Sequence, residues 1–525
     1  MDIDLADLPD NVETLQRMVR TLATERANLT EAQAEIERLR LIVQKLQRSQ
    51  FGRRAERLDD DQLQLSFEDL HADIARVEAT LPSTTVKRPR SRPDRPSLPA
   101  HLPREDIRLD LEHQACPCCG GELHVIGETV SEMLDHVPAR LRVIRICRPR
   151  YGCRACGTIH QAPAPERPIA KGLASPGLLA HVLVAKYCDH LPLYRQSQIF
   201  ARHGVDIDRS TLANWVGGAC WWLEPLQARL AAHVFGSTKL FADDTPIPVL
   251  DPGRGRTKMG RLWCYAVDDR PWCGPSHPAA AYVYSEDRRG IRPAAHLAQF
   301  RGVLQVDGYD GFKRLAGDRA DHSVQLAFCW VHMRRAFHHF YVSTKSPIAA
   351  ELLARVASLY AIEAEIRGHP AEHRRQVRQD RSRPIVEALQ AWLQAQLPRL
   401  PHASDLAKAM RYALKHWPGL VAFLDDGRIE MDTNVVERAI RPNTLNRKNA
   451  LFAGSDGGAR HWAIAMTLIQ TAKLNDVDPM AWLTDVLERV VSGRTKSHEM
   501  ASLLPWNWQP TNAAALRAAR PQLAA

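Results

Sequence analysis

The chain has 525 residues, a formal net charge of +10 and 45% hydrophobic residues. At the usual ~100 to 200 residues per domain it is long enough for several cores, which excludes a single small module. The positive balance and a pI near 9.1 favour a polyanionic partner and do not by themselves separate nucleic acid from an anionic lipid surface.

The chain begins MDIDLADLPDNVETLQ, without the basic-then-apolar order of an export signal, and no run approaches the ~20 apolar residues of a membrane span. The expectation is a soluble intracellular protein with no membrane partner. Leu8, Leu15, Leu22, Leu29, Ile36 and Val43 recur at heptad spacing, with Met18, Ala32, Leu39 and Leu46 in a second column. That pattern predicts a coiled-coil oligomerisation helix over 1–58, interrupted at Asn11 and Glu25, and hence a homodimer or higher oligomer; Val12 and Val19 widen the stripe, so an amphipathic helix packed on its own protein fits it too. An acidic stretch and a linker over 59–104 follow, rich in proline and in Lys87, Arg88, Arg90, Arg92 and Arg95, unable to continue a helix and suited to tracking phosphates or to solvation alone. Within 105–165, CPCCG and CRACG each place two thiolates at the spacing that grips one tetrahedral zinc, with a glycine to turn the chain behind the second sulfur. The parallel selects Cys116, Cys119, Cys153 and Cys156 as ligands of one structural zinc, and the run RLRVIRI between the knuckles suits the strands of a zinc ribbon. The other cysteines are scattered, as expected in a reducing compartment. Over 166–232 the pattern turns helical; LYRQSQIFARHGVDIDRSTLANWV reads as two helices broken at Gly204, like a helix-turn-helix presenting Arg209, Thr211 and Asn214 to DNA. Two ordinary packed helices fit the same pattern.

From 233 to 342 the reading is three strands, a helix, a strand, a short helix, a strand and a helix. This is the order of a ribonuclease H-like mixed sheet, in which the first and fourth strands are central neighbours and can bring carboxylates together. The first strand reaches Asp243 and Asp244, and the fourth ends at Asp307. The segment 343–426 reads as helices and carries Arg374, Arg375, Arg378, Arg381 and Arg383, a basic stretch suited to DNA or to a solvated face. In 427–487, Asn434 and Glu437 share one helix face with Arg438 and Arg441 beside it; spacing alone favours an ordinary surface helix there. Residues 488–525 form a tail. The expected fold class is therefore multidomain α/β: a ribonuclease H-like core with a helical insertion, preceded by coiled coil, zinc ribbon and a helix-turn-helix-like segment.

The segments ADDTPIPVLDPGRGRTKMGRLWCYAVDDRPW, VDGYDGF, CWVHMRRAF and NVVERAIRPNTLNRKNALFAGSDGGARHWA resemble the transposases of the insertion sequence 66 family, specifically the large C-type subunit. The zipper with FGRRAERL, the linker ending in LPRE, the paired knuckles and the terminal LLPWNW follow the family's order, so the resemblance covers nearly the whole chain. It implies an Asp-Asp-Glu transposase with Asp243, Asp307 and Glu437 as catalytic residues and ligands of two magnesium ions, for which manganese can substitute. The family's first motif usually reads Ala-Asp-Glu-Thr, so the variable second acid points to Asp243 and leaves Asp244 as a supporting or exposed residue. Cys329 and His332 match a Cys-x-x-His signature of related transposases and, with Asn434, are expected to support the core. The implied partners are DNA, as terminal inverted repeats and as target, and small accessory proteins of the same element; the implied place is the bacterial cytoplasm, at the nucleoid. Two other classes are a catalytically silent DNA-binding regulator derived from a transposase, and a ribonuclease H-like nuclease.

Overall fold

The computed structural model describes residues 172–251, 253–317 and 323–510, with shorter pieces between 141 and 170. The expected coiled coil, the linker and the four zinc-knuckle cysteines lie outside the described residues. A short antiparallel hairpin, β1 (Arg150–Gly152) and β2 (Ile159–Gln161), pairs Arg150 with Gln161 and brackets the second knuckle in sequence. The run RLRVIRI does not supply the ribbon strands as expected. Its described residues form no strand, and Val143 and Ile144, which would point to opposite faces, are both exposed. Alternation makes a strand only when one face finds a core.

Helix α1 (Pro176–Tyr187) begins at Ser175, whose hydroxyl accepts from Leu178 N at 3.2 Å, with Pro176 in the first turn where its missing N–H costs nothing. Helices α2 (Leu193–Arg202) and α3 (Arg209–Phe235) flank the expected turn, where Gly204 takes a φ of +76° and Asp208 caps α3 by accepting from Ser210 N at 2.7 Å. One face of the second helix is committed to packing. Leu212, Trp215, Val216, Ala219, Leu223, Leu226, Leu230 and Val234 keep one face of α3 buried from end to end.

Strands β3 (Lys239–Asp251), β4 (Arg256–Val267) and β5 (Ala279–Ser285) form an antiparallel meander. Helix α4 (Ile291–His296) leads to β6 (Gly302–Val306), and α5 (Asp310–Gly317) leads to β7 (Val324–Phe328). The sheet order is β5-β4-β3-β6-β7, with β6 parallel to both β3 and β7. The expected succession of elements is present, and its first and fourth strands are neighbours. One sheet face carries Leu240, Ala242, Trp263, Tyr265, Leu304 and Val306 onto Val234, Leu297, Phe312 and Leu315. By alternation the other face carries Phe241, Asp243, Cys264, Tyr282 and Gln305.

After β7 the chain leaves the sheet through α6 (Trp330–Thr344), α7 (Pro347–Ile366), α8 (Ala371–Val377), α9 (Arg383–Gln396), α10 (Asp405–Lys415) and α11 (Trp417–Leu420). Trp330, Met333 and Phe337 of α6 pack with Leu352, Val356, Leu389 and Met410, and this core meets the sheet at Val303 and Ala327. The basic stretch here divides: two of its arginines are interior and three form partly exposed surface pairs. Arg374 and Arg378 are buried against Glu363, at 3.2 and 2.7 Å, and Arg374 also pairs with Glu430 at 2.7 Å. Arg375, Arg381 and Arg383 pair with Glu372, Glu365 and Asp425.

The chain then returns through α12 (Asn434–Ala450), α13 (Asp456–Leu474) and α14 (Pro479–Val491). Helix α12 covers the Asp243 face: the Tyr282 hydroxyl donates to Ala439 O at 2.5 Å. Helix α13 seals the outer edge of β5, where Ala280 N and Tyr282 N donate to the Thr471 and Thr467 hydroxyls at 3.2 and 2.9 Å. An open strand edge would otherwise offer these donors to another chain. No helix among the described residues is long and apolar enough to cross a membrane.

Candidate active site

The parallel register between β3 and β6 ends at Phe241 opposite Gln305. Two residues further on stand Asp243, within β3, and Asp307, just past the end of β6, both continuing the face of Phe241 and Gln305. Helix α12 lies over that face and carries Glu437 in its first turn. The three acids predicted from sequence are therefore brought to one place by three elements.

Their electrostatics reflect the crowding. Burial, and then the charges of Asp307, Asp244 and Glu437, hold the Asp243 carboxyl well above the usual carboxylate range. Asp243 Oδ1 accepts from Asp244 N at 2.7 Å. Asp307 Oδ1 accepts from Tyr309 N at 2.9 Å, across a turn in which Gly308 has a φ of +104°, and the Tyr412 hydroxyl donates to Asp307 O at 3.1 Å. Glu437 is 4% exposed; its Oε1 accepts from the Thr433 hydroxyl at 2.8 Å, while its Oε2 is buried without a hydrogen-bond partner. Mutually repelling oxygen donors with an orphaned carboxylate oxygen fit a hard divalent cation such as magnesium.

Of the two alternatives for Asp244, supporting or exposed, the exposed one does not hold: the residue is buried and paired on the opposite face. Its side chain, 1% exposed, meets Arg261 at 3.1 Å and Arg288 at 3.0 Å. Burial pushes its carboxyl up, and Arg288 and Arg261 pull it back without cancelling that effect. The Arg288 guanidinium also lies over the Tyr309 ring, 4.4 Å from its centroid. Asp244 thus ties β3, β4 and the segment after β5 to the residues that follow Asp307.

Cys329 and His332 stand closer to the acids than core support requires. Cys329 is the N-cap of α6, its Sγ accepts from Thr433 N at 3.4 Å, and burial followed by Glu437 and Asp432 pushes its thiol up. His332 Nδ1 is 3.7 Å from Glu437 Oε1. Asn434 is buried, its N–H donating to Asp432 Oδ1 at 3.1 Å, and burial followed by Glu430 raises Asp432 to about 6. Arg438 is exposed and Arg441 half-buried. Arg209 and Asn214 are exposed and Thr211 half-buried at the start of α3, away from the buried stripe of that helix. Two residues were missed from sequence. Thr433 touches both Glu437 and Cys329, and Arg447 straps α12 to β3 through Thr245 Oγ1 at 3.3 Å and Pro246 O. Neither belongs to a spacing that announces chemistry.

Residues 171–461 match the family model described as Transposase IS66 family. Residues 38–107 match one described as Transposase C of IS166 homeodomain, 113–157 one described as zinc-finger binding domain of transposase IS66, and 467–506 the IS66 C-terminal element. Among curated relatives from Sinorhizobium fredii, the chain is 46% identical over 520 residues to the uncharacterized protein y4jD, covering 97% of this chain and 98% of that one. It is 41% identical over 537 residues to y4qI, covering 97% and 99%, and 39% identical over 499 residues to y4hP, covering 91% and 89%. With one model matched over more than half of its length and relatives of this identity along nearly all of it, the chain belongs to the IS66 transposase family.

Proposed function

We propose that the chain is the catalytic subunit of an insertion sequence, cutting and joining DNA through Asp243, Asp307 and Glu437 on a ribonuclease H-like core. The observation that carries this reading is the β3–β6 register, from which Asp243 and Asp307 continue on the face that α12 covers with Glu437. Two magnesium ions held by these carboxylates supply the positive charge that makes water nucleophilic and stabilises the leaving oxygen of a phosphodiester. The chain's own part is positional. Thr433 fixes one oxygen of Glu437, the backbone of Asp244 and of Tyr309 fixes one oxygen each of Asp243 and Asp307, and Arg438, next to Glu437, and Arg441, one turn further along α12, serve the DNA backbone. Hydrolysis at the end of a terminal inverted repeat frees a 3′-hydroxyl, which attacks target DNA in the same site. Arg209, Thr211 and Asn214 at the start of α3, and the zinc ribbon built on Cys116, Cys119, Cys153 and Cys156, serve end recognition, and the N-terminal helix pairs subunits. Small accessory proteins of the same element join the assembly.

The test is a magnesium-dependent nicking and strand-transfer assay on the element's own ends. Asp243→Asn, Asp307→Asn and Glu437→Gln are each expected to lower both steps by roughly 10²- to 10³-fold or more while end binding stays near wild type. Ends bound but never nicked by the wild-type chain would make it a regulator instead. A preference for RNA–DNA hybrids or junctions would make it a different nuclease.

A further inference from the structure

We propose that Cys329, His332 and Glu437 form a second, thiol-selective metal site whose ion is zinc. The donor atoms of these residues lie within 4.8 Å of one another. Cys329 and His332 are the cap and first turn of α6, and Glu437 is in the first turn of α12, so two helix starts converge on one point. One sulfur, one imidazole nitrogen and one carboxylate oxygen make three of the four positions of a tetrahedral zinc, the fourth remaining for water. Magnesium, which demands oxygen ligands, is excluded by the thiolate and the imidazole.

Two further observations point to an ion rather than to packing. The Cys329 sulfur accepts the Thr433 N–H at 3.4 Å, while burial and the neighbouring Glu437 and Asp432 hold its thiol up, an effect that a bound cation would oppose. His332 Nδ1 and Glu437 Oε2 are buried without hydrogen-bond partners beside it. Binding replaces the thiol proton of Cys329 by zinc and releases that proton to solvent, so affinity rises with pH.

The consequence rests on the triad reading above. A Glu437 oxygen held by zinc beside Cys329 is one donor fewer for a magnesium site with Asp243 and Asp307, and the neighbouring dication opposes a second cation there, so zinc competes with magnesium and lowers activity. The experiment measures metal content first. Full-length protein is dialysed against buffered zinc, and wild type is compared with Cys329→Ser, which keeps an N-cap hydroxyl, and with His332→Ala. Each variant is expected to hold about one fewer zinc ion per chain than wild type. In cobalt-loaded wild type the thiolate charge-transfer band is expected to exceed that of Cys329→Ser by the share of one sulfur. Equal zinc content in all three proteins, each melting cooperatively, overturns the site. If content falls as expected but zinc-stripped wild type shows no magnesium-dependent nicking, the metal site stands and the triad reading fails; if zinc-stripped wild type nicks and contents are equal, the reverse holds. Zinc that fills the site without inhibiting nicking overturns the proposed competition.

Discussion

Asp243 and Asp244 leave β3 on opposite faces, one toward α12 and the other toward Arg261 and Arg288. Their substitutions should separate on stability as well as on activity. Asp244→Ala leaves two arginines facing an empty, buried position, and melting is expected to fall by about 2 to 3 kcal/mol, moderated because Arg288 is partly exposed. Asp243→Asn removes a charge that burial and three neighbouring acids oppose. In metal-free buffer it is expected to melt slightly higher than wild type, a gain of about 1 kcal/mol, while losing catalysis. A metal-free Asp243→Asn protein that melts well below wild type would contradict that account of the site. Strand alternation alone could not choose between the two acids because β3 is buried on both faces: Phe241 and Ala242 are equally enclosed, so alternation of polarity is lost around them, and only the family resemblance pointed to Asp243. The convergence of His332 on Glu437 was hidden for another reason. The two residues belong to different helices separated by the whole helical insertion.

At the scale of elements, strands and helices were legible where one period dominated. The order from β3 to α6 follows from runs such as GVLQV and VQLAF between turn residues, and α7 and α9 from their apolar stripes. Charge was less legible than pattern. The arginines between α8 and α9 read as a basic strip because Glu363, Glu365, Asp425 and Glu430, which neutralise them, come from other segments. Arg378 also donates to Phe423 O and Asp426 O at 2.8 and 3.2 Å, so it fastens the insertion to the segment leading back to α12. Arg378→Ala strands Glu363 with half its partners and is expected to destabilise the fold by about 3 to 5 kcal/mol. The same substitution should leave the salt dependence of DNA binding unchanged in any protein that remains folded. A flattened salt slope at wild-type stability would return this arginine to the DNA surface. The helix-turn-helix pattern was read correctly as two helices and a break, but the stripe of α3 continues past Trp215 into the interior.

For the molecule as a whole, the sheet's other face supplies a pH response independent of the acids. His296 bonds the Tyr265 hydroxyl through Nδ1 at 2.9 Å and packs on Trp263; burial, with Arg292 adding to it, holds its pKa down to about 4. Between that value and ~6.5 the unfolded chain binds this proton and the folded chain does not, so stability contributed here rises with pH and is lost as pH falls from 6.5 toward 4. His296→Gln is expected to flatten the acid limb of the melting curve by about 2 kcal/mol across that window relative to wild type. Parallel curves would place the acid sensitivity elsewhere. The sealing of β5 by Thr467 and Thr471 has a consequence in time. A ribosome making this chain has delivered all three acids once Glu437 is added, but the helix that closes the sheet is complete only at Leu474. A nascent or prematurely stopped chain ending at 450 therefore carries all three proposed catalytic acids on an unfinished scaffold with a bare strand edge. Such a product should be cleared or aggregate before it could nick the DNA that encodes it.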